Sequence, residues 1–263
     1  MRGRGFALEE IMKLKDRVAI VTGAGTGMGR AIAKRLAAEG AKVLVNYRVS
    51  QSEAEKVAAG IRDQGGEAIT WQTDVAADGD VRGMMKAVEE RWGRLDVLVN
   101  NAGWSKIVPH HQLEDLTDEI WDRTLNSNLR GAFYCSRAAV PLLAKQPGSS
   151  IINISSAAAW HSSGSSIVYG AAKAGVVNMT KALARALAPA IRVNGIAPGF
   201  VPTGFAGRSE SDIELRAGQV PLGRITTPEE IATVAVFLAA DATSMTGETL
   251  VVDGGRTRLN VRR

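Results

Sequence analysis

The chain has 263 residues, 45% of them apolar, enough for one large core, and α/β folds of this length commonly form a single domain. Lys and Arg number 32 against 27 Asp and Glu; the resulting +5 is scattered, which argues against nucleic-acid binding and suits phosphorylated cofactors or acidic substrates. No apolar run approaches the roughly 20 residues of a membrane span, and a single cysteine, Cys135, excludes an intrachain disulfide and fits a reducing, cytoplasmic setting.

Residues 1–12 read as a disordered N-terminal extension, because Met1 to Ile11 hold neither an apolar signal core nor a strand pattern. Across residues 13–255 short apolar runs alternate with helical patterns. The runs Val18–Val21, Val43–Val45, Ala68–Trp71, Val97–Val99, Ile151–Ile154, Ile191–Ile196 and Leu250–Val252 read as seven buried strands. Amphipathic stretches such as Ser52–Gln64, Val81–Trp92 and Pro228–Ala239 separate them. This alternation predicts one doubly wound, Rossmann-type domain with a seven-stranded parallel sheet and helices on both faces. Residues 256–263 carry four arginines past the last pattern and read as a basic tail, loose or lying against a neighbouring subunit. There is no internal repeat.

Ligands of such sheets bind beyond the carboxyl ends of the strands. Gly23, Asn101, Ser156 and Pro198 each fall just past such an end. The segment Thr22-Gly23-Ala24-Gly25-Thr26-Gly27-Met28-Gly29 joins the first strand to the helical pattern Arg30–Ala37. Glycines permit a tight turn there and let the backbone approach a diphosphate, whose charge faces the helix N-terminus. Further on, Tyr169-Gly170-Ala171-Ala172-Lys173 places a phenol and an ammonium at i, i+4 on one helix face. A free phenol has a pKa of about 10, too high to cycle easily near neutrality, and a nearby cation lowers it.

Together the segment Thr22 to Gly29, Asn100-Asn101-Ala102-Gly103 and Tyr169 to Lys173 resemble the short-chain dehydrogenase/reductase family. Asn128, Ser156, Pro198-Gly199 and Asp253-Gly254-Gly255 match it as well, and the similarity runs from about Leu14 to Gly255. Within the family the chain is nearest to the branch of 3-oxoacyl carrier-protein reductases and glucose dehydrogenases. The resemblance implies that Tyr169 exchanges the proton when a hydride moves between nicotinamide and a carbonyl carbon. It gives Lys173 a second task on the nicotinamide ribose, has Ser156 orient the substrate oxygen, and has Asn128 hold a water in the proton relay. It also implies cofactor contacts from Gly23, Thr26, Gly27, Met28, Gly29, Asn101, Tyr169, Lys173, Pro198, Val201 and Thr203, and adenine contacts from Asp74 and Val75.

The end of the second strand bears on cofactor choice. NAD requires an acid about 20 residues past the glycines, whereas an arginine suits the 2′-phosphate of NADP. Here the strand ends Val45-Asn46-Tyr47-Arg48, with no carboxylate until Glu53. Arg48 can clamp a phosphate bidentately, so NADP(H) is the expected cofactor, with NAD(H) left open.

Trp104, Trp160, His161, Phe200 and Phe205 lie in segments that surround the substrate in the family, although Trp160 and Phe205 fit a subunit interface equally well. The adjacent His110 and His111 lack a carboxylate cluster and read as a solvated pair, so no metal is expected. Leu113–Gln146 and Ile167–Ala188 resemble the family's paired interface helices and point to a homotetramer. In the second, Ala172, Val176, Met179, Leu183 and Leu187 are expected to face the sheet, with Ala174, Val177 and Ala184 off that stripe. The expected function is reduction of a ketone or 3-oxoacyl thioester by NADP(H). The alternative is a sugar or polyol dehydrogenase working oxidatively with NAD(P), and a non-catalytic cofactor-sensing regulator is disfavoured because both Tyr169 and Lys173 are present.

Overall fold

The apolar runs pair into one seven-stranded parallel sheet in the computed structural model, which describes residues 12–161, 163–207 and 209–259. The strands are β1 (Val18–Val21), β2 (Lys42–Tyr47), β3 (Ala68–Gln72), β4 (Val97–Asn100), β5 (Ser150–Ile154), β6 (Arg192–Pro198) and β7 (Thr249–Val252). Their spatial order is β3-β2-β1-β4-β5-β6-β7, with Ala19 opposite Val97 and Val18 opposite Lys42 on the two sides of β1. The chain order therefore reverses at β1, and a crevice opens between the loops that follow β1 and β4.

Alternate side chains of each strand serve opposite layers, as the pleat requires. Ala19 and Val21 face a core made with helices α1 (Gly27–Ala38), α2 (Gln51–Asp63) and α8 (Pro228–Val236). Val18 and Ile20 face a second core made with α3 (Asp78–Trp92), α5 (Gly131–Leu143) and α6 (Ile167–Leu187). The short helices α4 (Asp118–Leu125) and α7 (Glu210–Glu214) complete the set. Both faces of β1 are fully buried, hence its unbroken apolar sequence. Cys135 lies in the second core, where burial pushes its thiol up to about 12.

The edges depart from the expectation of seven buried strands. Trp71 at the end of β3 is exposed, and all of β7 is only partly buried, because an edge strand has a neighbour on one side alone. The inward face of α6 also differs from the expected one. Its buried line is Val168, Ala172, Val176, Thr180 and Ala184, a strict i, i+4 row, while Met179, Leu183 and Leu187 are only half-buried. Thr180 is fully buried because its hydroxyl donates to Val176 O at 2.8 Å and accepts from Asn153 Nδ2 at 3.0 Å. An apolar count passes over such a residue.

The expected N-terminal extension lies outside the described residues apart from Met12, as do residues 260–263 of the basic tail. The start of that tail packs on the domain. Thr257 N donates to Asp253 Oδ2 at 2.6 Å, and the Arg256 guanidinium lies over Phe200. Among the described residues no helix is long and apolar enough to cross a membrane.

Candidate active site

A cleft of about 840 Å³ lies across the carboxyl ends of the strands. That is near the upper end of the roughly 300–1,000 Å³ usual for ligand sites, room for a cofactor and a small substrate together. At one end, the turn after β1 is held by polar groups. Asn101 Nδ2 donates to Thr22 O at 2.8 Å and to Gly23 O at 3.1 Å, while Thr22 Oγ1 accepts from Asn101 N and Ala102 N, both at 2.9 Å. Asn46 Oδ1 accepts from Gly23 N at 3.0 Å, tying the turn to β2.

The conformation of this turn excludes side chains. A Cβ on Gly29 would lie 2.3 Å from Gly23 O and 2.5 Å from Asn101 Nδ2. Gly23 and Gly27 have φ of 62° and 51°, in the left-handed region. Across the mouth, Thr203 comes so close that a Cβ on Gly27 would meet its Cβ at 2.9 Å. The N-cap Thr26 makes no side-chain cap and the first turn of α1 holds no acid. The first N–H groups and the positive end of the helix dipole are therefore left for an anion. Such a cradle fits the diphosphate of a nicotinamide dinucleotide.

Beyond β2, Arg48 and Asp74 form an exposed ion pair at 3.6 Å on the cleft wall. Gln72 Nε2 holds the carbonyl of Arg48 at 3.0 Å, and Asp74 Oδ1 accepts from Ala76 N at 3.0 Å. Val75 is buried beside them, against Gly131.

At the other end the chain concentrates polar groups around Lys173. This residue is 4% exposed, and its Nζ donates to Ile154 O at 2.9 Å while lying 5.7 Å from the centre of the Tyr169 ring. Burial brings its ammonium down from 10.5 to about 8. The side chain of Asn128 comes from a π-helical stretch, Asn126–Arg130, between α4 and α5. Insertions of this kind gather at functional sites because the wider turn re-aims side chains. Asn128 Nδ2 donates to Trp104 O at 2.6 Å and Thr124 O at 2.9 Å, which leaves its buried Oδ1 without a partner among the described residues. Gly103 makes room there. A Cβ on it would sit 2.5 Å from Asn128 Oδ1 and 3.8 Å from Lys173 Nζ.

Two latches fix the cleft-lining face of α6. Ser166 caps the helix by accepting from Tyr169 N at 3.3 Å, and Ser155 Oγ donates to Lys173 O at 2.8 Å. Ser156 accepts from Ala158 N at 3.2 Å and starts a 3₁₀ turn, Ala157–Ala159, that lines the cleft beside Tyr169. The Tyr169 ring also meets Phe205, centre to centre at 5.6 Å.

Of the residues singled out from sequence, the cleft brings together Gly23, Thr26, Gly27, Met28, Gly29, Arg48, Asp74, Val75, Asn101, Asn128, Ser156, Tyr169, Lys173, Pro198, Val201 and Thr203. Trp104, Phe200 and Phe205 line it as well, Trp104 with the Arg123 guanidinium 4.1 Å from its ring centre. Trp160 and His161 do not line it. The 3₁₀ turn carries the chain outward, so Trp160 is 40% exposed and His161 Nε2 pairs with Thr257 Oγ1 at 3.0 Å. Among the described residues no group of His, Cys, Asp and Glu is gathered as a metal site. Sequence reasoning missed Asn46, whose signal was a lone amide in a buried apolar strand, and missed Arg216 and Arg256 on the cleft wall.

A family model described as Enoyl-(Acyl carrier protein) reductase matches residues 23–257. The chain is 41% identical over 247 residues to a 3-oxoacyl-[acyl-carrier-protein] reductase of a Synechocystis strain, spanning 92% of this chain and 97% of the relative. It is 40% identical over 241 residues to a protein of Streptomyces violaceoruber named for a ketoacyl reductase role in the granaticin polyketide synthase, spanning 90% and 95%. A solved structure from Brucella melitensis, described as a glucose/ribitol dehydrogenase of the short-chain type, superposes with a TM-score of 0.84 at 34% identity, covering 93% of this chain and 98% of that one. The chain belongs to the short-chain dehydrogenase/reductase family and is an NAD(P)-dependent oxidoreductase acting on a carbonyl or CH–OH group.

The buried lysine has a measurable consequence. Below about pH 8 it is charged in both the folded and the unfolded chain, and burial penalises the native state in full; between about 8 and 10.5 the unfolded chain binds the extra proton, so this penalty fades as pH rises. Lys173→Met is therefore expected to stabilise the cofactor-free protein at pH 7 by up to about 3 kcal/mol. Urea unfolding of both proteins at pH 7 and pH 9.5 should show the difference shrinking at the higher pH.

Proposed function

We propose that the protein reduces a ketone, by preference a 3-oxoacyl thioester, with NADP(H), and that Tyr169 is the proton donor. The observation that carries this reading is the Lys173 ammonium, buried 5.7 Å from the Tyr169 ring and facing the same cleft as Ser156. A cation so placed favours the phenolate, which lets the phenol release a proton to the oxygen formed when a carbonyl is reduced. Ser156 donates to that oxygen and orients it. Asn128 Oδ1 accepts from a water that restores the proton through Lys173. Bound nicotinamide supplies or takes the hydride.

Gly23 to Gly29 would hold the diphosphate, Asp74 and Val75 the adenine, and Lys173 the ribose near the nicotinamide. Asn101, Pro198, Val201 and Thr203 would close around the cofactor. The names of the Synechocystis and Streptomyces relatives support a 3-oxoacyl substrate; the description of the Brucella structure supports sugar oxidation as the rival. Rates with an acetoacetyl thioester and with glucose, each with both cofactors, separate the two. Faster turnover of glucose overturns the reductase reading. Tyr169→Phe keeps the ring but loses the donor, so turnover is expected to vanish while cofactor affinity, followed by fluorescence, stays within about threefold. Activity within tenfold of wild type removes Tyr169 from the role.

Arg48 supports NADP(H), because its guanidinium lines the cleft beyond β2 with Asp74 as its only ion-pair partner among the described residues. That same partner competes with a 2′-phosphate, which leaves room for NAD(H). Arg48→Asp removes a phosphate clamp and adds a ribose acceptor. A charge-assisted hydrogen bond contributes about 1.5–3 kcal/mol, so the ratio of kcat/KM for NADPH over NADH should fall by about one to two decades. An unchanged ratio reduces Arg48 to a surface charge.

The same reading extends to a cytoplasmic homotetramer. Trp121, Phe133 and Ile167 are exposed large side chains on or beside α4, α5 and α6, as a face that packs on a second copy would require. Light scattering at micromolar concentration should give four times the 27.8 kDa chain mass. A fully active monomer rules out the assembly.

A further inference from the structure

The wall of the cleft near Tyr169 carries charge that hydride transfer does not use. Phe200 follows β6, and two guanidiniums lie over its ring, Arg256 at 4.4 Å and Arg216 at 5.3 Å from the centre. All three residues line the cleft. Arg256 reaches them because Gly199 N donates to Val252 O at 3.0 Å, which sets the chain after β7 beside the chain after β6. Its Nη2 also donates to Ser163 Oγ at 3.4 Å. The next residue, Gly164, packs on the tyrosine: a Cβ there would lie 3.6 Å from Tyr169 Cδ1. The arginine pair thus belongs to the tyrosine end of the cleft. The diphosphate cradle and Arg48 lie across it, beyond β1 and β2.

Neither guanidinium forms an ion pair with any described residue. The carboxylate of Asp253, three residues before Arg256, is committed to its own turn. Its Oδ1 accepts from Gly255 N at 2.9 Å, and its Oδ2 accepts from both the N and the hydroxyl of Thr257. Burial lowers the pKa of Arg256, Asp253 opposes that shift, and the charge of Arg216 adds to it. Two half-buried like charges that share one ring, neither of them ion-paired to a described residue, suit an anion, and planar guanidinium forks match carboxylate and phosphate alike.

We propose that the carbonyl substrate carries a carboxylate or phosphate group, which Arg216 and Arg256 hold over Phe200. This rests on the reading of Tyr169 as proton donor, because it places the reacting carbonyl at that end of the cleft. The anion then acts as a remote handle that fixes the carbonyl's approach, and substrates lacking it lose binding.

Three probes test the proposal and separate the sources of charge: the neutral acetoacetyl thioester of N-acetylcysteamine, the same acyl group on pantetheine 4′-phosphate, and the keto acid 5-oxohexanoate. Wild-type kcat/KM for at least one anionic probe should exceed that for the neutral thioester about tenfold, the scale of one charge-assisted contact. Arg256→Gln and Arg216→Gln should each cut that ratio about tenfold through KM, and Arg256→Lys should keep part of it, with circular dichroism confirming folded protein. Equal ratios in wild type and both glutamine variants overturn the proposal while leaving the reductase reading standing. If wild type turns over none of the probes, that reading fails, and calorimetric titration with pantetheine 4′-phosphate and 5-oxohexanoate still decides the anion site. Binding that Arg256→Gln weakens about tenfold upholds it; no binding, or binding equal in both proteins, overturns it.

Discussion

A lysine ammonium buried in the middle of a protein is costly unless the surroundings compensate it. Here Nζ donates to the carbonyl of Ile154 at the end of β5 and lies near the Tyr169 ring, and burial makes the group give up its proton more readily. Much of the local structure follows from keeping that side chain in place. Ser155 holds the backbone of Lys173, Ser166 fixes the start of α6, and the absent side chain of Gly103 admits Asn128 alongside. A helix anchored at both its cap and its lysine cannot rotate, and so the phenol one turn earlier is aimed as well.

Beneath this site runs a second polar chain that ties the layers together. Asn100 on β4 donates to Asn153 on β5 at 2.8 Å and to Ser136 on α5 at 2.9 Å, and Asn153 continues to Thr180 on α6. Buried hydrogen bonds of this kind stabilise little by themselves, but leaving one unmade costs about 1–3 kcal/mol. They therefore act mainly by specifying one relative placement of the strands and α6. At the far end Asn46 does the same for the glycine turn, using its amide to reach Tyr47, Trp71 and Thr73 carbonyls while its oxygen holds Gly23. The two ends of the cleft are set by different residues, yet both depend on amides inside otherwise apolar strands.

The strands were legible because a parallel sheet covered on both faces demands continuous apolar runs, and these are local in sequence. Val18–Val21 came out with the bounds the sequence suggested. The face of α6 did not, because the reading followed apolar residues whereas the structure buries Thr180 and closes its hydroxyl on the preceding turn and on Asn153. Trp160 and His161 were expected near the substrate because their segment surrounds it in the family; here neither lines the cleft, and His161 pairs with Thr257 after the three-residue turn.

What the sequence determined by itself were the relations that span a turn or less: glycines that a tight strand-to-helix turn requires, and a phenol and ammonium on one helix face. Such relations are fixed by helix and strand geometry, which needs no distant partner. The tertiary structure alone decided which remote groups meet. Asn128 lies beside Lys173 because a π-helical turn re-aims it and Gly103 leaves room. Arg256 shares a ring with Arg216 and Phe200 because β7 pairs with β6. Strand order is set by the packing of the whole sheet against its helices, and no stretch of sequence short enough to read by spacing contains it.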